Sequence, residues 1–239
     1  MGGCVDSRTD PVQSGLARRV TESLHSWNIS VAEAIALQKR LADRVECDDR
    51  LGRVDRVAGV DVGYDKARGV ARAAVVVIET ATLETVETAV TERPTAFPYV
   101  PGLLSFRELP AAIEALDRLT TSPDVLLCDG HGFAHPRRFG IASHLGVFLD
   151  MPSIGVAKSR LVGEAGEPGS ERGDRASLTH KGEAIGTLLR TRTGVSPIFV
   201  SVGHRVNLDT AVRIVLECTT RFRLPETTRR ADRLSKTRS

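Results

Sequence analysis

The chain predicts a mixed α/β fold: a sheet that joins an antiparallel three-strand meander to parallel strands, flanked by helices. Three observations predict it. Arg56 to Gly63, Val70 to Glu79 and Leu83 to Val90 are β-prone runs with short connections, the pattern of a meander. Val125 to Cys128 and Ser153 to Ala157 are short apolar runs, as strands buried on both faces read. Between them, Ile141 to Leu149 has helical spacing, which makes a strand–helix–strand crossover.

The 239 residues suffice for one good-sized domain. Residues 1–27 read as an N-terminal extension, helical around Leu16 to Leu24, and residues 28–239 as a single domain with a basic tail. Ser30 followed by Glu33 is a capping box, opening a helix to about Val45. The Pro98-Tyr99-Val100-Pro101 loop is stiff, because proline fixes φ. It presents an aromatic either as a wedge against a base stack or as a packing corner. A helix follows from Leu103, with Pro110 bending it and Ala111 to Leu119 completing it. Val162 to Lys181 reads as a mobile, glycine-rich surface loop. Glu183 to Thr191 and Pro197 to Val202 read as a hairpin around Thr193-Gly194. Asn207 caps a helix to about Thr219, and Leu224 to Leu234 forms a last helix.

Composition narrows the function classes. The charged fraction is 26% and the hydrophobic fraction 41%, as in soluble globular proteins. No apolar run reaches transmembrane length, and the four cysteines have no metal-ligand spacing. A cytoplasmic monomer without a membrane partner is therefore expected. Net charge is only +3, but Thr219 to Ser239 carries seven Lys/Arg against Glu226 and Asp232. That tail either meets phosphates or is a solvated basic terminus. There is no P-loop, dinucleotide fingerprint or internal repeat.

The chemistry lies in carboxylates. Asp61 is embedded in an apolar strand with glycine on both sides, and Asp129 ends another. Lone acids on buried strands need a partner or a cation. Lys158 ends the next apolar strand, so an acid and a base meet at one sheet edge. Strand-Asp-Gly is also an ordinary turn, and Glu108, near a helix start, is also readable as a surface acid. His204 reads as a substrate contact or a structural histidine. Taken together, Asp61, Glu108 and Asp129 make a hard oxygen-donor site that selects Mg²⁺, with Mn²⁺ as a substitute, over Zn²⁺. Beside Lys158, Arg137 and Arg138, such a site suits phosphodiester hydrolysis.

A meander with an acid on its first strand, then helix, strand, helix, strand, resembles the ribonuclease H-like fold. Longer blocks resemble the endonuclease V family, the deoxyinosine 3′-endonucleases. They are Val57 to Asp61, Phe97 to Glu108, nearly all of Asp129 to Leu161, Pro197 to Ser201, and Gly203-His204. The resemblance implies a DNA-repair enzyme that cleaves the second phosphodiester bond 3′ to a deaminated purine, leaving 3′-hydroxyl and 5′-phosphate ends. An alternative is an inosine-specific endoribonuclease on the same site. By that resemblance Asp61, Glu108, Asp129 and Lys158 are catalytic, and Pro98, Tyr99, Val100 and Pro101 form the wedge. Gly102, Leu104, Gly130, Gly132, His135, Gly140, Ile141, Gly155, Ala157 and Leu161 line a pocket for the flipped base. Relatives carry histidine or aspartate in the last helix. Here the register gives Asp232, a fourth metal-binding candidate beside Asp61, Glu108 and Asp129.

Overall fold

The structure, a computed structural model, describes residues 24–236. The helical stretch expected before Leu24 lies outside the described residues. Helix α1 (Val31–Ala42) opens on the capping box: Ser30 Oγ accepts the Glu33 amide, and Glu33 accepts the Ser30 amide. Strands β1 (Arg56–Asp65), β2 (Val70–Glu79) and β3 (Thr85–Pro94) form the antiparallel meander. Helix α2 (Leu104–Asp117) leads to β4 (Val125–Asp129), parallel to β1. Helix α3 (Ile141–Leu149) leads to β5 (Ser153–Ala157), parallel to β4. Strands β6 (Glu164–Ala165), β7 (Arg175–His180), β8 (Glu183–Leu189) and β9 (Ile198–His204) complete one nine-stranded sheet of order β3-β2-β1-β4-β5-β9-β8-β7-β6. Helices α4 (Leu208–Glu217) and α5 (Glu226–Lys236) follow. This is the ribonuclease H-like arrangement expected. No helix among the described residues is long and apolar enough to cross a membrane.

Strand residues alternate between two apolar layers, because successive side chains leave opposite faces. Ala58, Leu126 and Cys128 join the layer under α2 and α3, while Val57, Val125 and Leu127 join the layer under α4 and α5. The same parity decides where the acids go. Asp61 shares the phase of Val57, and Asp129 that of Leu127, so both fall on the α5 face. Val60 pairs with Cys128 across β1 and β4, so the two acids sit side by side. Gly59 and Gly63 share that face as well. A Cβ at Gly59 would overlap the backbone of Thr227 and Thr228, and one at Gly63 would lie 2.9 Å from the Ser235 carbonyl. These glycines let α5 lie directly on β1.

The structure departs from expectation in three elements. Val162 to Lys181 is not one loop: it contains β6 and β7, with Leu178 fully buried against Ala134 and Ile185. Outward charges on this edge of the sheet mask the alternation. Strand β3 starts and ends later than expected, because Leu83 turns at φ 58° and Thr91 to Pro94 still pair with β2. Helix α2 carries Pro110 inside it and ends at Asp117 rather than at Leu119.

Candidate active site

Asp232 meets Asp61 and Asp129 on the α5 face of the sheet. Carboxylate oxygens of Asp61, Asp129 and Asp232 lie within 4.8 Å of one another. Asp61 comes from β1, Asp129 from the end of β4, and Asp232 from α5. Lys158, just past β5, places Nζ 2.6 Å from Asp129 Oδ2 and 2.9 Å from Asp232 Oδ1. Lys236 Nζ is 2.7 Å from the same Asp232 oxygen. Ser235 Oγ donates a short hydrogen bond to Asp61 Oδ2. Asp232 thus faces Asp61 and Asp129 and accepts bonds from two lysines, Lys158 and Lys236.

Glu108 stands outside the trio, because α2 packs on the other face of the sheet. It still feels the acids. Burial, and then the charges of Asp61 and Asp129, push its carboxyl up to about 8. Burial raises Asp61 to about 6, the Ser235 bond opposes that, and Asp129 and Asp232 add to it. Burial also pushes Asp232 upward, but bonds from Lys236 and Lys158 outweigh it and leave the carboxyl below its usual value. Lys158 is lowered by burial but raised more by Asp129 and Asp232, ending at about 12. It therefore stays a cation.

The donor set fits a hard divalent ion. Four carboxylates face two ammonium groups, an excess of two negative charges when all are ionised. The ligand atoms in the trio are all oxygen, which suits Mg²⁺ or Mn²⁺. A stability test follows from the raised acids. Asp61 and Glu108 hold their protons more tightly folded than unfolded, so stability rests on protonation and is lost as pH rises from about 4 through 6 and 8. A bound cation opposes that loss. At a hundredfold excess over Kd it adds about 2.7 kcal/mol, or roughly 5–10 °C in Tm. Thermal melts with Mg²⁺ or Ca²⁺ are expected to show this rise at pH 8 and much less at pH 5. Equal responses at both pH values would contradict the assignment.

Beside Asp129 lies a small pocket of about 200 Å³. It is smaller than the roughly 300–1,000 Å³ of drug-sized sites, and suits one flat heterocycle. Tyr99, Val100, Pro101, Gly102, Leu104, Gly130, His135, Gly140, Ile141 and Leu161 line it. Pro98, Gly132, Gly155 and Ala157 do not. Pro98 is exposed, and Ala157 is buried opposite Phe199. Gly132 and Gly155 act beneath the pocket: a Cβ at Gly155 would overlap the Gly132 amide, and one at Gly132 the Val202 carbonyl.

Gln38, Ser105 and His131 also line the pocket, and sequence reasoning missed them. The signal for Gln38 is a polar residue in the buried stripe Ala34, Leu37, Gln38, Leu41. Its amide donates to the Gly102 and Phe139 carbonyls. His135 accepts the Arg137 amide at Nδ1, so Nε2 carries the proton and donates 3.0 Å to the Gly102 carbonyl. Burial, then Arg137, lower its pKa to about 4 and keep it neutral. His135 thereby pins the Pro98–Gly102 loop. Arg137 and Arg138, expected beside the acids, are held elsewhere. Arg137 binds Gln38 and Gly102, and Arg138 binds Glu183 and His180. His204 is buried at the Ser153 end of β5, opposite Lys158, and takes the structural role.

Comparison with known proteins agrees with this fold. The Endonuclease V family model matches residues 39–233. Endonuclease V of Nostoc punctiforme is 51% identical over 212 residues, covering 88% of this chain and 96% of the relative. The crystal structure of endonuclease V from Streptomyces avermitilis superposes with TM-score 0.85 at 49% identity, covering 88% of this chain and 93% of that one. Ciona intestinalis endonuclease V, solved with a 24mer DNA containing an inosine followed by a ribo-adenosine, gives TM-score 0.76 at 34% identity. It covers 86% of this chain and 95% of that one.

Proposed function

The chain belongs to the endonuclease V family, and from that premise we propose that it is a DNA-repair endonuclease acting on deaminated purines. It extrudes deoxyinosine and hydrolyses, with Mg²⁺, the second phosphodiester bond 3′ to the lesion, leaving 3′-hydroxyl and 5′-phosphate ends. The observation that carries this reading is the adjacency of an acid trio with Lys158 and a pocket sized for one base. Residues 28–239 are the catalytic unit, acting as a monomer in the cytoplasm, where Cys47, Cys128 and Cys218 stay as thiols.

Asp61, Asp129 and Asp232 would hold the metal, with Glu108 behind them. Bound Mg²⁺ supplies Lewis-acid neutralisation of phosphate charge and acidifies the attacking water. Lys158, a cation throughout the neutral range, steadies a phosphate oxygen. Glu108, buried on α2, would keep a proton beside the trio until a cation offsets the charges of Asp61 and Asp129. Gln38, His135 and Arg137 hold the Gly102 carbonyl and so fix the pocket wall.

Tyr99 is 72% exposed at the pocket rim. Extruding a base costs a few kcal/mol of unstacking, and a proline-stiffened ring fills the gap at little ordering cost. Tyr99→Ala is expected to weaken discrimination between inosine and undamaged DNA more than it slows the chemical step. A steep fall in single-turnover rate with unchanged lesion affinity would remove the wedge role.

Asp232→Ala is expected to lower apparent Mg²⁺ affinity, with high Mg²⁺ recovering part of the lost rate. Asp232→His keeps more activity than alanine, and Asp232→Asn is intermediate. Mg²⁺ titrations of single-turnover rate that superimpose for wild type and Asp232→Ala would reduce the metal site to Asp61 and Asp129.

An inosine-specific endoribonuclease is the second reading. The ribo-adenosine after the inosine in the Ciona complex favours testing it. The test is a nicking assay comparing inosine with adenosine in DNA and RNA, single- and double-stranded. Nicking without inosine preference on any of these would overturn both readings.

A further inference from the structure

The pocket wall is wired, through two imidazole rings, to the chain ahead of α1. Ser105, in the first turn of α2, lines the pocket. Its Oγ lies 3.0 Å from His144 Nδ1. His144 is fully buried on α3, and its Nε2 lies 2.7 Å from His25 Nε2. His25 Nδ1 in turn lies 2.9 Å from the Ser26 carbonyl. Trp27, Phe106 and Phe148 pack around the two rings.

The protons of this chain run one way. A carbonyl only accepts, so His25 Nδ1 carries a proton, and Nε2 of the neutral ring is bare. Burial, opposed by the Ser26 bond, lowers the pKa of His25, and burial holds His144 well below its usual value, so both rings are neutral at pH 7. His144 Nε2 must then donate to His25, which leaves His144 Nδ1 bare. Ser105 donates to that nitrogen. Its hydroxyl proton is spent inside the protein, and only lone pairs remain for a ligand. Neighbours in the wall spend their protons in the same way. Gln38 gives its amide protons to the Gly102 and Phe139 carbonyls, His135 donates to Gly102, and His131 to Ser159.

This polarity separates two purines. Hypoxanthine carries a proton on N1, where adenine presents a bare nitrogen. We propose that Ser105 Oγ is a specificity-determining acceptor for the N1 proton of the deaminated purine, with His144 and His25 as positioning residues that fix the direction of its hydroxyl. This assignment rests on the proposed function. Adenine in the pocket would set one lone pair against another and leave both unpaired, the arrangement by which a site built for one hydrogen bond rejects an analogue lacking it.

Two measurements test it. The first compares binding, in Ca²⁺, of duplexes carrying inosine or the unsubstituted purine nucleoside, whose N1 is bare. Ser105→Ala is expected to weaken inosine binding about tenfold, the scale of one buried hydrogen bond, and to leave purine binding unchanged. Retained purine binding separates this loss from misfolding. His25→Phe, which keeps the ring packing but removes the accepting nitrogen, is expected to lower the inosine-over-purine ratio by a smaller factor. A wild-type ratio in Ser105→Ala, or equal losses on both duplexes, would overturn the acceptor role. The second measurement is nitrogen NMR of the free protein labelled at histidine, since a bare ring nitrogen and a protonated one resonate far apart. A bare Nδ1 and protonated Nε2 are expected for His144, and the reverse for His25. A proton on His144 Nδ1 would overturn the chain. This arm needs no nucleic acid. It therefore reads the chain even if wild type shows no preference for inosine over undamaged DNA and the functional reading falls.

Discussion

Asp129→Ala is expected to slow single-turnover cleavage by on the order of 10³-fold or more, while lesion DNA still binds. The structure gives the reason for this split. Asp129 ends β4 in the trio, beside but not lining the base pocket. Its removal takes a ligand from the metal and a partner from Lys158, 2.6 Å away, but leaves the pocket wall intact. Asp61→Ala is expected to behave in the same way. Ca²⁺, which accepts looser coordination than Mg²⁺, is expected to support binding without turnover. Gel-shift and quenched-flow measurements on one inosine duplex separate the two effects. Normal nicking by either variant at saturating Mg²⁺ would remove the metal-site assignment.

Gly59→Val is expected to be nearly as damaging, although residue 59 carries no functional group. Its Cβ would overlap the backbone of Thr227 and Thr228, so α5 has to lift from β1. Overpacking of this kind costs about 1–3 kcal/mol and sometimes more. The same movement carries Asp232 and Ser235 away from Asp61. Misplacement by about 1 Å can cost on the order of 10²-fold in rate. Gly52→Val is the control, since nothing lies within 4 Å of a Cβ there. A Gly59→Val protein with wild-type stability and activity would show that α5 does not depend on this close approach.

The contrast between these residues marks how far the sequence could be read. Asp61 and Asp129 announce themselves, because an acid in an apolar run breaks a local period. Lys158 does so at the end of β5. The meander and the crossover follow from spacings of a few residues. Ser235 lies 174 residues from Asp61, and no local pattern links them. The available hint was Gly59 and Gly63, which share the face of Asp61 and leave room for a backbone. Sequence groups Glu108 with the acids, but its helix packs on the opposite face, so it stands outside the trio. Arg137 and Arg138 looked like phosphate ligands because charge is visible in sequence and partners are not. Gln38 and Glu183 hold them. Strand β7 was hidden by its exposed, polar outer residues.

The most direct test of the account is end mapping of a duplex with one inosine, labelled on either end, with Mg²⁺ present or chelated. The account predicts a single cut at the second phosphodiester 3′ to the inosine, with 3′-hydroxyl and 5′-phosphate ends, and no cut in chelator or opposite an adenosine control. Cleavage at the inosine's own 3′ phosphodiester, or cleavage that persists without a divalent ion, would contradict it.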